Sequence, residues 1–180
     1  MAIAEGCLRG GARLLQLRAK ELGGAGLLSL ADTLVALARR WDAEVIINDR
    51  PDIARLSGAA GVHVGQDDLT VDQARRVLGP QALIGISTHD ENQVDAALGS
   101  SADYVAVGPI YETHTKATGY SARGLDLVRY ASRRGRPIVG IGGITLERAP
   151  EVLAAGASSV AVVTALLGDP ESRARAFLEL

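Results

Sequence analysis

Three cations, Arg18, Lys20 and Lys116, stand at or beyond the ends of short apolar runs, with no evident partner close by in the chain. Gln16, Arg18 and Lys20 recur at a spacing of two, which turns all three side chains to one face of a strand. Asn48-Asp49, Gly65-Gln66-Asp67-Asp68, Ser87-Thr88-His89, the stretch from Gly108 to Lys116, Gly142-Gly143 and Val163-Thr164 end the apolar runs that follow. Gln16, Asn48, Ser87, Thr113 and Thr115 offer neutral hydrogen-bonding groups. Asp49 and Asp68, from separate runs, suit Mg²⁺, which takes one or two carboxylates and completes its octahedron with water and phosphate oxygens. Glycines after Ile141 let backbone N–H groups approach a phosphate closely. Together these residues describe a site for an anionic, doubly phosphorylated substrate set with a metal.

Each feature also has a plainer reading. Asp49, just ahead of Pro51, could cap a helix, and Asp67-Asp68 could form a solvated turn. Ile141-Gly142-Gly143-Ile144 fits any strand that enters a tight turn, and Thr113–Lys116 fits a polar loop. His63, in mid-strand, reads as a packed or hydrogen-bonded core histidine, His89 as the neighbour of a helix cap, and His114 as solvent-facing. The coincidence of so many polar residues at one end of successive strands favours a site. Only two of the 19 basic residues are Lys, at positions 20 and 116. In a chain that otherwise uses Arg, these positions call for a compact ammonium in place of a planar fork.

The elements that must position these residues alternate. Strands are expected at Leu14–Arg18, Glu44–Asn48, Gly61–Gly65, Leu83–Ser87, Tyr104–Gly108, Ile138–Gly142 and Ser159–Val163. Helices are expected at Ala2–Arg9, Ser29–Trp41, Val71–Leu78, Glu91–Leu98, Leu125–Arg133, Leu146–Ala155 and from Pro170. Leu30, Leu34, Leu37 and Trp41 fall at helical spacing. Thr70, Asp90 and Thr145 are placed to open helices, and Gly79, Gly99 and Gly156 to close them. Strands as apolar as Val45-Ile46-Ile47 belong in a parallel sheet covered on both faces. No GxGxxG follows the first strand, which argues against a doubly wound nucleotide fold. The expected class is α/β, a (β/α)₈ TIM barrel, with residues 1–180 as a single domain that lacks the first β-strand. Met1 is accordingly expected not to be the natural start, and the unpaired edges flanking the gap are expected to invite association into a homo-oligomer.

Composition narrows the function classes. The chain has 180 residues, 47% apolar and 22% charged, enough for a core and too apolar for disorder. A net charge of −2 carries no basic footprint for nucleic acid or anionic membrane. Cys7 is alone, so no disulfide framework exists and a reducing compartment fits. No apolar run approaches a membrane span, and no secretory leader is expected. A cytoplasmic location follows as the expectation.

The runs Leu15-Gln16-Leu17-Arg18-Ala19-Lys20, Ile47-Asn48-Asp49-Arg50, Gly61 to Leu69, Gly85-Ile86-Ser87-Thr88-His89, Asp103 to Ile110, Thr113-His114-Thr115-Lys116 and Ile141-Gly142-Gly143-Ile144 resemble thiamine-phosphate synthase. The resemblance runs in order from about Gly11 to Pro170. It implies a (β/α)₈ barrel that joins hydroxymethylpyrimidine diphosphate to a thiazole phosphate, in plain or carboxylated form, and releases thiamine phosphate and pyrophosphate. It further implies that Gln16, Arg18, Lys20, Asn48 and Lys116 hold the pyrimidine diphosphate, with Ser87 beside the pyrimidine. Asp49 and Asp68 would ligate Mg²⁺, with Asp67 adjacent but not a ligand. Thr113, Thr115, Gly143, Val163 and Thr164 would receive the thiazole phosphate. The implied mechanism is dissociative, with Lys20, Lys116 and Arg18 meeting the charge that develops on the leaving diphosphate. The related thiazole tautomerase, a proton-transfer enzyme, fits the acidic Gly-Gln-Asp-Asp run less well. A non-catalytic binder of thiamine precursors would be free to lose Asp49, Asp68 or Lys116, and all three are present.

Overall fold

The computed structural model describes residues 1–113 and 119–180. In chain order the elements are α1 (Ala2–Arg9), β1 (Leu14–Leu17), α2 (Gly24–Arg39), β2 (Glu44–Asn48), α3 (Pro51–Ser57), β3 (Gly61–Val64), α4 (Val71–Leu78) and β4 (Leu83–Thr88). They continue with α5 (Glu91–Leu98), β5 (Tyr104–Val107), α6 (Gly124–Ser132), β6 (Ile138–Ile141), α7 (Ala149–Ala154), β7 (Ser159–Ala161), a 3₁₀ turn at Thr164–Leu166 and α8 (Pro170–Leu178). All seven strands are parallel and pair in chain order, each with the next.

The pleat sorts the strand residues into two sets. Val45 and Ile47, Val62 and Val64, Ile84 and Ile86, and Val105 and Val107 pack against the helices. A period of two therefore sends Ile46, Asn48, His63, Gly85, Ser87, Tyr104 and Ala106 to the concave face. Ile47, Val62, Val64, Ile84, Val105 and Val107 are fully buried, which explains why these strands read as nearly continuous apolar runs. Among the described residues the sheet pairs neither β1 nor β7 on its outer edge, yet α1 packs against α8. The helices thus meet behind a curled sheet of seven strands, one fewer than a closed eight-stranded barrel.

Local chemistry sets the ends of the elements. Thr70 and Gln73 form a reciprocal capping box at the start of α4, and Asp90 caps α5 by accepting from the Gln93 N–H. Three expectations need correction. The second helix begins at Gly24 and buries Leu27, Ala31, Leu34, Val35 and Ala38, which leaves Leu37 and Trp41 partly buried at the margin of its core face. The small Ala31 and Ala38 allow that face to lie close to the sheet. The helix expected from Leu146 begins at Ala149: the Arg148 and Ala149 N–H groups both donate to Thr145 O, making a turn, and Pro150 supplies no N–H in the first helical turn. Pro51–Ser57, absent from the expected helices, forms α3 with proline in its first turn.

Candidate active site

The strand ends gather the polar residues on one rim. Asn48, the last residue of β2, is buried, and the next residue, Asp49, holds a left-handed φ of 62°, a conformation that non-glycine residues seldom adopt. The Asp49 N–H donates to His63 O at 2.8 Å, extending the β2–β3 ladder by one bond and fixing where the carboxylate leaves the backbone. Lys20, beyond β1, bridges to Asp49 Oδ2 at 2.7 Å. The lysine that looked unpartnered in sequence is therefore paired. Gln16 and Arg18 are exposed on the same edge of the sheet.

Asp68 comes from the loop after β3, where its Oδ2 accepts the Gly65 N–H at 2.8 Å. Burial pushes its carboxyl above the ordinary carboxylate value, and the facing Asp49 side chain and charge add to the rise, while the Gly65 N–H and Lys20 pull it down. Two carboxylates from different strands thus meet against one lysine. Among the described residues no group of three or more His, Cys, Asp and Glu forms a metal cluster. A pair of carboxylates with open sides fits a hard divalent cation that keeps water or phosphate oxygens as its remaining ligands.

Ser87, near the end of β4, is 4% exposed, and its hydroxyl lies 2.7 Å from His63 Nε2. Gln66 Nε2 donates to Ser87 O at 2.7 Å, tying the β3 loop to β4. His63 is the hydrogen-bonded core histidine that its mid-strand position suggested, with its other ring nitrogen on Tyr104. His89 is buried as well, stacked on Tyr120 at 4.1 Å between ring centroids, with Nδ1 on Gly108 O.

A cavity of about 550 Å³ opens at the strand ends of β5, β6 and β7 and is lined by Glu112, Thr113, Gly143, Ile144, Thr145, Thr164 and Ala165. Its size suits a small phosphorylated heterocycle. Gly143 takes φ +66°, and a Cβ there would come within 2.6 Å of Glu112 O. Only glycine lets the loop after β6 run against the loop after β5 at this point. Val163 is exposed at the start of the 3₁₀ turn, on the same rim as Thr164. Glu112, Thr145 and Ala165 line the cavity although their sequence context marks none of them as a site residue, and Thr145 lines it in place of capping α7. His114, Thr115 and Lys116 lie outside the described residues. The segment after them is anchored where described: the Arg123 N–H donates to Pro109 O at 2.7 Å and the Gly124 N–H to Ile110 O at 3.0 Å.

The fold is of the parallel α/β barrel type, and its polar residues gather at the C-terminal ends of the strands. Comparison with known proteins sharpens this. Residues 1–166 match the family model for thiamine monophosphate synthase. The chain is 45% identical over 179 residues to a thiamine-phosphate synthase of Thermus thermophilus, covering 97% of this chain and 85% of that one. It is 46% identical over 185 residues to a thiamine-phosphate synthase of a Mycobacterium species, covering 96% and 81%. A solved thiamine phosphate pyrophosphorylase from Pyrococcus furiosus superposes with a TM-score of 0.90 at 29% identity, covering 99% of this chain and 87% of that chain. The chain belongs to the thiamine-phosphate synthase family, transferases of thiamine biosynthesis.

Proposed function

We propose that this enzyme joins hydroxymethylpyrimidine diphosphate to thiazole phosphate by a dissociative substitution. The observation that carries the reading is the placement of two subsites on one rim. The Lys20–Asp49–Asp68 cluster suits a diphosphate with its cation, and the cavity lined by Thr113, Gly143 and Thr164 suits a second phosphorylated ring. In the reaction the bond between the pyrimidine methylene carbon and the diphosphate oxygen breaks, and its electron pair leaves with pyrophosphate. The thiazole nitrogen then donates its lone pair to the methylene cation, forming the new C–N bond.

Gln16, Arg18, Lys20, Asn48 and Lys116 hold the diphosphate and orient the breaking bond. Arg18, Lys20 and Lys116 meet negative charge that grows as the bond lengthens, so they stabilise the transition state more than the bound substrate. Asp49 and Asp68 would hold Mg²⁺, which when bound neutralises diphosphate charge. Ser87 sits against the pyrimidine, and Thr113, Thr115, Gly143, Val163 and Thr164 hold the thiazole phosphate next to the electrophilic carbon. No side-chain nucleophile or general base is required. The reading extends to a cytoplasmic enzyme that binds neither nucleic acid nor membrane and is able to self-associate. The net charge of −2 offers no basic footprint for nucleic acid, and no described helix is long and apolar enough to cross a membrane.

Positional isotope exchange tests the dissociative step. With ¹⁸O in the bridging position between methylene and phosphorus, reversible ionisation scrambles the label into the non-bridging oxygens of the adjacent phosphate. Scrambling is expected in recovered substrate. Label that stays wholly in the bridge while product forms would support direct displacement.

A further inference from the structure

Behind the rim, three side chains from three strands form one buried hydrogen-bonded chain. His63 of β3, Gly85 of β4 and Tyr104 of β5 stand side by side in register on the concave face. Gly85 has no side chain, and the Tyr104 ring lies across the vacated position: a Cβ on Gly85 would come within 1.9 Å of Tyr104 Cζ. The phenol thereby spans β4 and brings its hydroxyl to 2.8 Å from His63 Nδ1. The opposite ring nitrogen, Nε2, lies 2.7 Å from Ser87 Oγ. All three side chains are buried, with Tyr104 9%, His63 7% and Ser87 4% exposed.

Counting protons along this chain fixes its direction. Burial raises the Tyr104 phenol above its ordinary value, so it keeps its proton. Among the described residues His63 Nδ1 is the one hydrogen-bond partner of that hydroxyl. If Nδ1 carried a hydrogen, the phenol would have to accept it and would bury its own proton without an acceptor, a costly state. The phenol therefore donates to Nδ1. The imidazole then carries its hydrogen on Nε2 and donates it to Ser87 Oγ. A doubly protonated ring would orphan the phenol proton in the same way. With its oxygen already accepting from His63, Ser87 has its own O–H left to give.

We propose that Tyr104 and His63 are positioning residues that lock the Ser87 hydroxyl as a hydrogen-bond donor toward the substrate. The freed Ser87 O–H then calls for an acceptor on the ligand, such as a lone-pair ring nitrogen or a phosphate oxygen. This rests on the functional reading above for the identity of the substrate, but not for the direction of the chain. It also gives Gly85 a purpose, since any larger residue there would break the crossing.

Two measurements on the full chain test it. In ¹⁵N NMR of the ligand-free protein, with the His63 signals assigned by their loss in His63→Gln, Nε2 is expected protonated and Nδ1 unprotonated and accepting. Tyr104→Phe keeps the ring over Gly85 and should remove that tautomer preference. A proton on Nδ1 in the wild-type protein would overturn the proposal whatever the activity. In turnover, Tyr104→Phe should lower kcat/KM for the pyrimidine diphosphate by about tenfold, as loss of an outer hydrogen-bond partner does, without changing KM for the thiazole phosphate. In a Ser87→Ala background the same substitution should have no further effect. Full additivity of the two losses would mean that Tyr104 acts only through packing and would overturn the role assigned here. A protein with the expected tautomer and no synthase activity would leave the relay standing and refute the function instead.

Discussion

Asp49 and Asp68 show how individual residues acquire a role from their surroundings. A left-handed backbone at Asp49 and the Gly65 N–H on Asp68 turn two acids from different strands toward each other beside Lys20. Strain of this kind is characteristic of sites where geometry is held for function. Because Asp68 is raised in the folded chain, the native state holds its proton more tightly than the unfolded state. Its contribution to stability is therefore present at low pH and is lost as pH rises through the raised value. Without divalent cation, Asp68→Asn should remove that part of the pH dependence of Tm. At a Mg²⁺ concentration of 100 Kd, binding adds about 2.7 kcal/mol, or about 5–11 °C in Tm for a chain of this length. Thermal unfolding should show this shift in the wild-type protein and little of it in Asp68→Asn or Asp49→Asn. Equal shifts in all three would remove the carboxylate pair as the cation site.

Among the elements, the loops after β5 and β6 line the cavity proposed as the second subsite, and they touch at Gly143. Gly143→Ala faces both a left-handed φ and a contact with Glu112 O, at a cost of about 1–3 kcal/mol. Steady-state kinetics should show a raised KM for the thiazole phosphate with KM for the pyrimidine diphosphate little changed; the reverse pattern would place the two subsites wrongly. Strand and helix order was legible in the chain because buried parallel strands are uninterrupted apolar runs and because Thr70 and Asp90 are strong caps. Helix α2 was harder to read, since its glycine-rich start hides the N-terminus and its core face uses alanines that carry little hydrophobic signal. Asp49, Asp68 and Ser87 gained a substrate-specific role only through the family resemblance, but as polar residues following apolar runs they were legible. Their mutual arrangement was not: the Lys20–Asp49 bridge joins residues 29 apart by sequence, and the Tyr104 crossing depends on a missing side chain at Gly85. Glu112 and Thr145 line the cavity because two loops converge, which no local pattern records.

At the scale of the whole molecule, the proposed reaction needs residues from β1 to β7 on one rim, and the parallel sheet meets that need by sending every described strand the same way. The helices behind it, with α1 packed on α8, hold the curl of the sheet whose strand ends carry both the Lys20–Asp49–Asp68 cluster and the cavity. The fold is shared by enzymes of unrelated chemistry, so the rim and not the barrel must carry the function. The most direct test supplies the purified chain with hydroxymethylpyrimidine diphosphate, thiazole phosphate and Mg²⁺, and measures thiamine phosphate and pyrophosphate together. The two products should appear in equal amounts, only when both precursors are present, and should stop when the cation is chelated. A folded chain that binds the precursors yet releases no pyrophosphate, or that only moves a proton on the thiazole, would contradict the account.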